Sequence, residues 1–314
     1  MKTFDDAITL DPLGIQDALQ TPLPLARRIV LHWVMRLLIT WFAFGLLTWA
    51  MVAGLQALSV EFSPVVTVGL LSVGALLAVF AVTGLIERRN LAELGLGWRR
   101  FGIDWLKGAG VGAAYLGASV GILALLGGYR ITGVAFAGQA LAGGLLLHFL
   151  VGVFEETLVR GILFRFLEEG FGSWIALTLT ALFFGFSHLS NPNATVWSAS
   201  AIALEAGVSI GAAYMATRSL WFAMGLHTAW NFLQGTVFGV AVSGAEAPTD
   251  SLFRPLIQGH PWLTGGAFGI EASVIAVGLG LGLGSYFILH AVHQKRIMRG
   301  LLWRGGINVL RHPL

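Results

Sequence analysis

An all-α transmembrane bundle of about eight spanning helices is the architecture this sequence predicts, and three observations carry the prediction. The chain is 56% apolar and only 11% charged, with a mean hydropathy of +0.79, whereas soluble domains run near about 45–50% apolar and about 25% charged. Its apolar residues fall in unbroken runs of the length that crosses a bilayer, roughly 20 residues for a helix. Its 42 glycines suit membrane helices, in which small residues let backbones approach closely. A closed β-barrel is the other spanning solution, but it would show short alternating segments rather than continuous runs.

The elements follow in order. The start, Met1-Lys2-Thr3-Phe4-Asp5-Asp6, is acidic and no short apolar core follows it. Residues 1–32 are therefore expected to be a non-translocated arm, partly interfacial around Pro24 to Trp33, rather than a cleavable signal. Leu37–Val60, Phe62–Ile86 and Gly108–Tyr129 contain no Asp, Glu, Lys or Arg and are read as the first three spans. A fourth begins after Arg130, reaches Phe154, meets Glu155-Glu156 and continues apolar to Leu167. A fifth covers Trp174 to about Leu189 and stops at Asn191-Pro192-Asn193, a turn signal. Val196–Thr217 is the sixth, Leu220 to about Val242 the seventh, and Phe268–His293 the eighth. Asn90–Trp105 is too polar to span, and its Leu91, Leu94, Trp98, Phe101 and Trp105 suggest an interfacial element. One membrane domain, residues 33–293, is expected, followed by a basic tail over 294–314.

Charge placement sets an expected orientation. Lys2, Arg27 and Arg28 precede the first span, while Arg88, Arg89, Arg99, Arg100 and Lys107 lie between the second and third. Arg218 lies between the sixth and seventh, and Lys295, Arg296, Arg299, Arg304 and Arg311 follow the last. Eight spans put all of these on one side and leave only Arg130 and Arg254 on the other, so both termini are expected in the cytoplasm, the membrane being a bacterial inner membrane. The 19 basic residues form no stripe, which argues against nucleic acid as a partner. The absence of cysteine excludes disulfides, thiolate metal sites and cysteine nucleophiles.

Ionisable groups at membrane depth are costly and point to function. They cluster in three segments here. In Glu155-Glu156-Thr157-Leu158-Val159-Arg160, Glu156 and Arg160 stand four apart on one helix face and can neutralise each other. Glu155 lies about 100° further round, where it can meet a different environment and both take and return protons. The plainer reading is a structural ion pair with a solvated neighbour. Phe184-Gly185-Phe186-Ser187-His188 ends an apolar helix on an imidazole, which alone is more often a packing residue. His227-Thr228-Ala229-Trp230-Asn231 puts an imidazole and a carboxamide on one face, able to donate to an oxyanion or to act as interhelical polar glue. At about 1.5 Å per residue, Glu155 and His188 lie at similar depths from the turn between their helices, so the segments can converge.

Taken in order, Glu-Glu-x-x-x-Arg, Phe-x-x-x-His and His-x-x-x-Asn on near-successive spans resemble the three motifs of the CAAX prenyl protease type 2 and bacteriocin-processing (CPBP) intramembrane proteases. The resemblance is strong over a motif core of about residues 146–238, including Ser219-Leu220-Trp221 and Gly225-Leu226-His227, and extends more weakly to Leu91-Ala92-Glu93-Leu94-Gly95-Leu96. It implies an intramembrane endopeptidase acting on a membrane-associated protein or peptide in a lipid environment. It also implies Glu155 as the base that activates water, His188 as the group that holds that water, and Glu156 and Arg160 as geometric support. His227 and Asn231 would stabilise the oxyanion. No metal is required in this reading; a zinc-dependent variant would use Glu155, His188 and His227, although His-Glu-x-x-His is absent.

Three other polar residues stand apart from the motifs. Glu205, in the interior of the sixth span, either lines a cavity or pairs with a hydroxyl. His148, seven residues before Glu155, reads as a packing residue, and Glu271 as a group that caps or gates the site from the last long loop. Two competing functions differ in kind. A non-catalytic scaffold or immunity factor would keep its effect without Glu155 and His188. A proton-coupled transporter would use Glu155, Glu156 and Glu205 as a proton path, although no inverted repeat is visible.

Overall fold

The computed structural model describes residues 25–303. Most of the expected N-terminal arm and the end of the basic tail lie outside the described residues. A short helix α1 (Leu25–Leu31) leads into α2 (Trp33–Ala57), α3 (Pro64–Ile86), α4 (Phe101–Leu125), α5 (Gly138–Phe171), α6 (Ser173–Ser190) and α7 (Val196–Thr217). Helix α8 (Leu220–Asn231) continues through the wide turn Phe232–Val237, and α9 (Val274–His293) closes the bundle. The architecture is the expected polytopic helical bundle.

Among the described residues, seven helices are long and apolar enough to cross a membrane: α2 to α7 and α9. The expected seventh span, α8, is not one of them. Its composition is diluted by His227, Asn231 and Gln234, and every residue from Leu220 to Asn231 is buried. A helix sheltered by protein on all sides has no lipid-facing stripe to keep apolar.

Two boundaries differ from the sequence reading. Helix α4 starts at Phe101, inside the segment read as interfacial, after two short 3₁₀ turns at Leu91–Leu94 and Trp98–Arg100. It ends at Leu125, because Tyr129–Val134 forms a strand, β1, paired antiparallel with β2 (Phe253–Ile257). That small ribbon takes up residues assigned to the ends of the third and fourth spans. The alternation in Tyr-Arg-Ile-Thr-Gly-Val was hidden between two long apolar runs.

The packing that fixes α8 is written in glycine. Helices α4 and α8 are so close that a Cβ at Gly108 would collide with the Phe222 carbonyl, and one at Gly112 with the Leu226 carbonyl. From the other side, a Cβ at Gly225 would collide with the Trp105 carbonyl. Gly108 and Gly112 are four apart, the spacing at which small residues line one helix face. Helix α8 thus lies against α4 backbone to backbone, with α5 on its other flank.

Polar clamps tie loops together at the end that carries the α5–α6 and α7–α8 turns. Glu168 accepts from Arg218 Nη1 at 2.5 Å and Nη2 at 2.8 Å, and Ser173 Oγ donates to it at 2.5 Å. Arg36 donates to Glu87 at 2.9 Å and pairs with Glu169, while Arg165 also pairs with Glu87. Ser219 Oγ donates to Asp104 at 2.8 Å. At the opposite end the β1–β2 ribbon and the loop from Phe238 to Ser273 cover the bundle.

Replacing Gly112 by Val should lower the unfolding temperature of the detergent-solubilised protein, since overpacking costs about 1–3 kcal/mol and more when the obstacle is backbone. Gly110→Val should be close to neutral, because a Cβ there meets nothing within 4 Å. Equal losses at the two positions would show that the α4–α8 contact is not the sensitive one.

Candidate active site

The site begins where α5 leaves regular helical geometry. Its α-helical part ends at Glu156 and passes into a π-helical stretch, Thr157–Phe164, before resuming at Arg165–Phe171. Wide turns of this kind commonly occur at functional sites. Two more lie on helices that line the cavity, Ala203–Gly207 within α7 and Phe232–Val237 directly after Asn231, while a fourth, Ala81–Ile86, ends α3 away from it. The first three adjoin residues that the sequence singled out.

Glu156 and Arg160 are fully buried. Glu156 Oε1 accepts from Arg160 Nη1 at 2.8 Å and from His227 Nδ1 at 2.8 Å. Arg160 Nη2 donates to the Gly207 carbonyl at 3.1 Å and to the Ala206 carbonyl at 3.3 Å, in the wide turn of α7. Its guanidinium lies 5.0 Å from the centre of the Phe184 ring. A single ion pair therefore holds α5, α6, α7 and α8 together. It stands behind the cavity wall rather than in it.

Glu155 has the opposite environment. Its side chain is 25% exposed against 0% for Glu156, it lines the cavity, and its Oε2 is 3.8 Å from His227 Nε2. That Oε2 is buried without a hydrogen-bond partner. The α5 helix turns the two adjacent carboxylates about 100° apart, which separates them into a sealed one and an open one.

The imidazoles are oriented by acceptors. His227 Nδ1 meets the Glu156 carboxylate, so that nitrogen carries a proton and Nε2 faces the cavity. His188 Nδ1 lies 2.7 Å from the Phe184 carbonyl, which can only accept, so the free nitrogen of His188 is again Nε2. Phe184 packs edge-on between the two rings, 5.0 Å from His188 and 5.9 Å from His227. The Asn231 carboxamide is buried and lines the same cavity.

Glu155, His188, His227 and Asn231 thus surround one narrow cavity of about 30 Å³, space for one or two water molecules. The wall is completed by residues the motifs did not include. Glu205 and Glu271 both line it. Ser243 N donates to Glu271 at 2.5 Å and its Oγ donates at 3.0 Å. Burial raises the Glu271 carboxyl above the ordinary range, partly offset by the Ser243 N–H. His148 is not a lining residue; it packs behind the wall, with Nδ1 buried and unpartnered. Sequence reasoning passed over Tyr115, Ser209, Trp230 and Ser243, which also face the cavity. Trp230 sits inside the His-x-x-x-Asn motif, and Tyr115 is the single aromatic in the Gly/Ala-rich middle of α4; nothing in the sequence marks Ser209 or Ser243.

Among the described residues, no three His, Asp or Glu side chains are positioned to hold a common ion. His227 and His188 each keep Nε2 free, since Nδ1 of the one meets Glu156 and Nδ1 of the other a backbone carbonyl. No step below is routed through a metal.

Residues 137–233 match the family model described as type II CAAX prenyl endopeptidase Rce1-like. Over that stretch the chain is similar to this family. The matched region runs from the start of α5 to just past Asn231 and contains all three motifs. It covers roughly a third of the chain and leaves out Tyr115 and Glu271. No curated protein and no solved structure gives a match. With seven helices long and apolar enough to cross a membrane among its described residues, the chain is an integral membrane protein.

Removing the cation of the sealed pair should be costly in stability. Arg160→Met leaves Glu156 buried without its partner, and breaking such a pair costs about 3–5 kcal/mol. Adding Glu156→Gln should restore part of the loss, read by thermal unfolding in detergent. A neutral single variant would show that the pair does not hold the helices.

Proposed function

We propose that the protein is an intramembrane endopeptidase that hydrolyses a peptide bond of a membrane-associated protein or peptide, with Glu155 as the general base. The observation that supports this most is the split between the paired glutamates. Glu156 is fixed and neutralised by Arg160, whereas Glu155 faces a cavity large enough for the attacking water.

In this reading Glu155 takes a proton from a water that His188 Nε2 helps to orient. The water oxygen attacks the carbonyl carbon, and the developing oxyanion receives hydrogen bonds from His227 and Asn231. A donor at His227 Nε2 requires the ring to carry both protons. Two carboxylates, Arg160 and an imidazolium sum to zero charge, which suits a site removed from bulk water. Donors aimed at the oxyanion act strongest where water is excluded.

The family description points to a prenylated CAAX-type substrate, which is one candidate among membrane-anchored peptides. We place residues 33–293 as the protease domain. We propose that α8 crosses along with the seven qualifying helices; the basic loops then share one side, which in a bacterial inner membrane would be the cytoplasm, together with both termini.

The test is cleavage by the full-length protein in detergent or liposomes, with a farnesylated CAAX peptide as the first probe. Glu155→Gln should abolish turnover while leaving the protein folded. His227→Ala and Asn231→Ala should each lower kcat by about 10²–10³-fold with a smaller effect on KM. Wild-type turnover by Glu155→Gln would end the glutamate-base reading.

A further inference from the structure

The cavity has a second polar side that the motifs do not account for. Tyr115 Oη on α4 lies 2.8 Å from Glu205 Oε2 on α7 and 2.7 Å from the Ala276 carbonyl on α9. A phenol has one proton, and an amide carbonyl can only accept. Both contacts are hydrogen bonds only when a second proton is present, and the carboxyl of Glu205 is the group that can supply it. The chain then runs from Glu205 O–H to Tyr115 Oη, and from Tyr115 O–H to the Ala276 carbonyl.

The surroundings agree with an un-ionised acid. Glu205 is 2% exposed, and among the described residues it has no ion pair. The α9 helix meets it at Gly280, which offers no side chain. The other titratable groups on this cavity are Glu155 from α5, His188 from α6, His227 from α8 and Glu271 from the loop before α9. Arg160 does not pair with the carboxyl, but donates to the carbonyls of Ala206 and Gly207, the next two residues.

Two further buried atoms on this wall have no partner in the protein. Trp230 and Ser209 line the cavity and are nine-tenths or more buried, and Trp230 Nε1 and Ser209 Oγ make no hydrogen bond. They mark the wall as one that faces a polar ligand rather than a packed interior. Glu155 and Glu205 line this one cavity, so both carboxyls face the space that a scissile bond would occupy.

Resting on the protease reading, we propose that Glu205 is a second catalytic carboxyl, the general acid that protonates the departing amine, with Tyr115 as the residue that holds its proton. Water loses a proton to Glu155 as its oxygen bonds to the carbonyl carbon. The tetrahedral intermediate then collapses, the C–N bond breaks, and the nitrogen takes the proton of Glu205. The resulting Glu205 carboxylate accepts the Tyr115 O–H, which swings from Ala276. The proton on Glu155 returns to Glu205 through water, which restores both groups.

The full-length protein in detergent tests this with two probes, a farnesylated CAAX peptide and its counterpart with a thioester in place of the scissile amide. A thiolate leaves without being protonated, so it needs no general acid. Glu205→Gln should lower amide turnover by about 10²-fold and remove the alkaline limb of its pH profile, while thioester turnover stays near wild type. Tyr115→Phe should give the same pattern more weakly. Glu155→Gln should slow both probes, so failure of the base reading and failure of the acid reading look different. Infrared spectra provide a measure independent of turnover: wild type at neutral pH should show a protonated-carboxyl carbonyl band that Glu205→Gln lacks. Equal slowing of both probes, full amide turnover by Glu205→Gln, or absence of the band would overturn the proposal.

Discussion

The buried contact between Glu156 and Arg160 is the constraint on which the centre of this molecule depends. An unpaired charge in the middle of a bundle would cost several kcal/mol, so each partner requires the other. The pair does more than cancel. Through Glu156 it fixes the proton of His227 on α8, and through Arg160 it satisfies two carbonyls in the wide turn of α7. Once these are engaged, Glu155 is the carboxylate of the pair left to face the cavity.

Backbone proximity is the second requirement. His227 and Asn231 can face Glu155 only because α8 is buried along its whole length, and it can be buried because Gly108, Gly112 and Gly225 let it rest directly on α4. This packing explains why the helix that carries most polar groups is the one that does not qualify as a span by composition. Its solvent is the rest of the protein. The wide turns of α5, α7 and α8 each lie beside a polar residue, and that of α7 presents two carbonyls to Arg160.

The cavity collects two kinds of carboxyl. Glu155 sits beside an imidazole and near a guanidinium, where a negative charge is compensated. Glu205 sits beside a phenol and a glycine. A pair of acids placed in such different surroundings is the arrangement by which one site can both remove and deliver a proton. The family match runs from residue 137 to 233, so Tyr115, Ser243 and Glu271 line the wall from outside the matched stretch.

The sequence by itself determined the membrane bundle, because span length, apolar content and charge spacing are local and one-dimensional. It also marked Glu155, Glu156, Arg160, His188, His227 and Asn231, because charged and polar groups are conspicuous within apolar runs. Helical spacing was enough to pair Glu156 with Arg160. It could not show that Glu156 rather than Glu155 takes His227, that Tyr115 reaches Glu205 across 90 positions, or that residues 129–134 would turn to strand. Those outcomes depend on which helix faces are pressed together. Only the tertiary structure decides that, because hydrogen-bond direction and burial are properties of the assembled wall and not of any single segment.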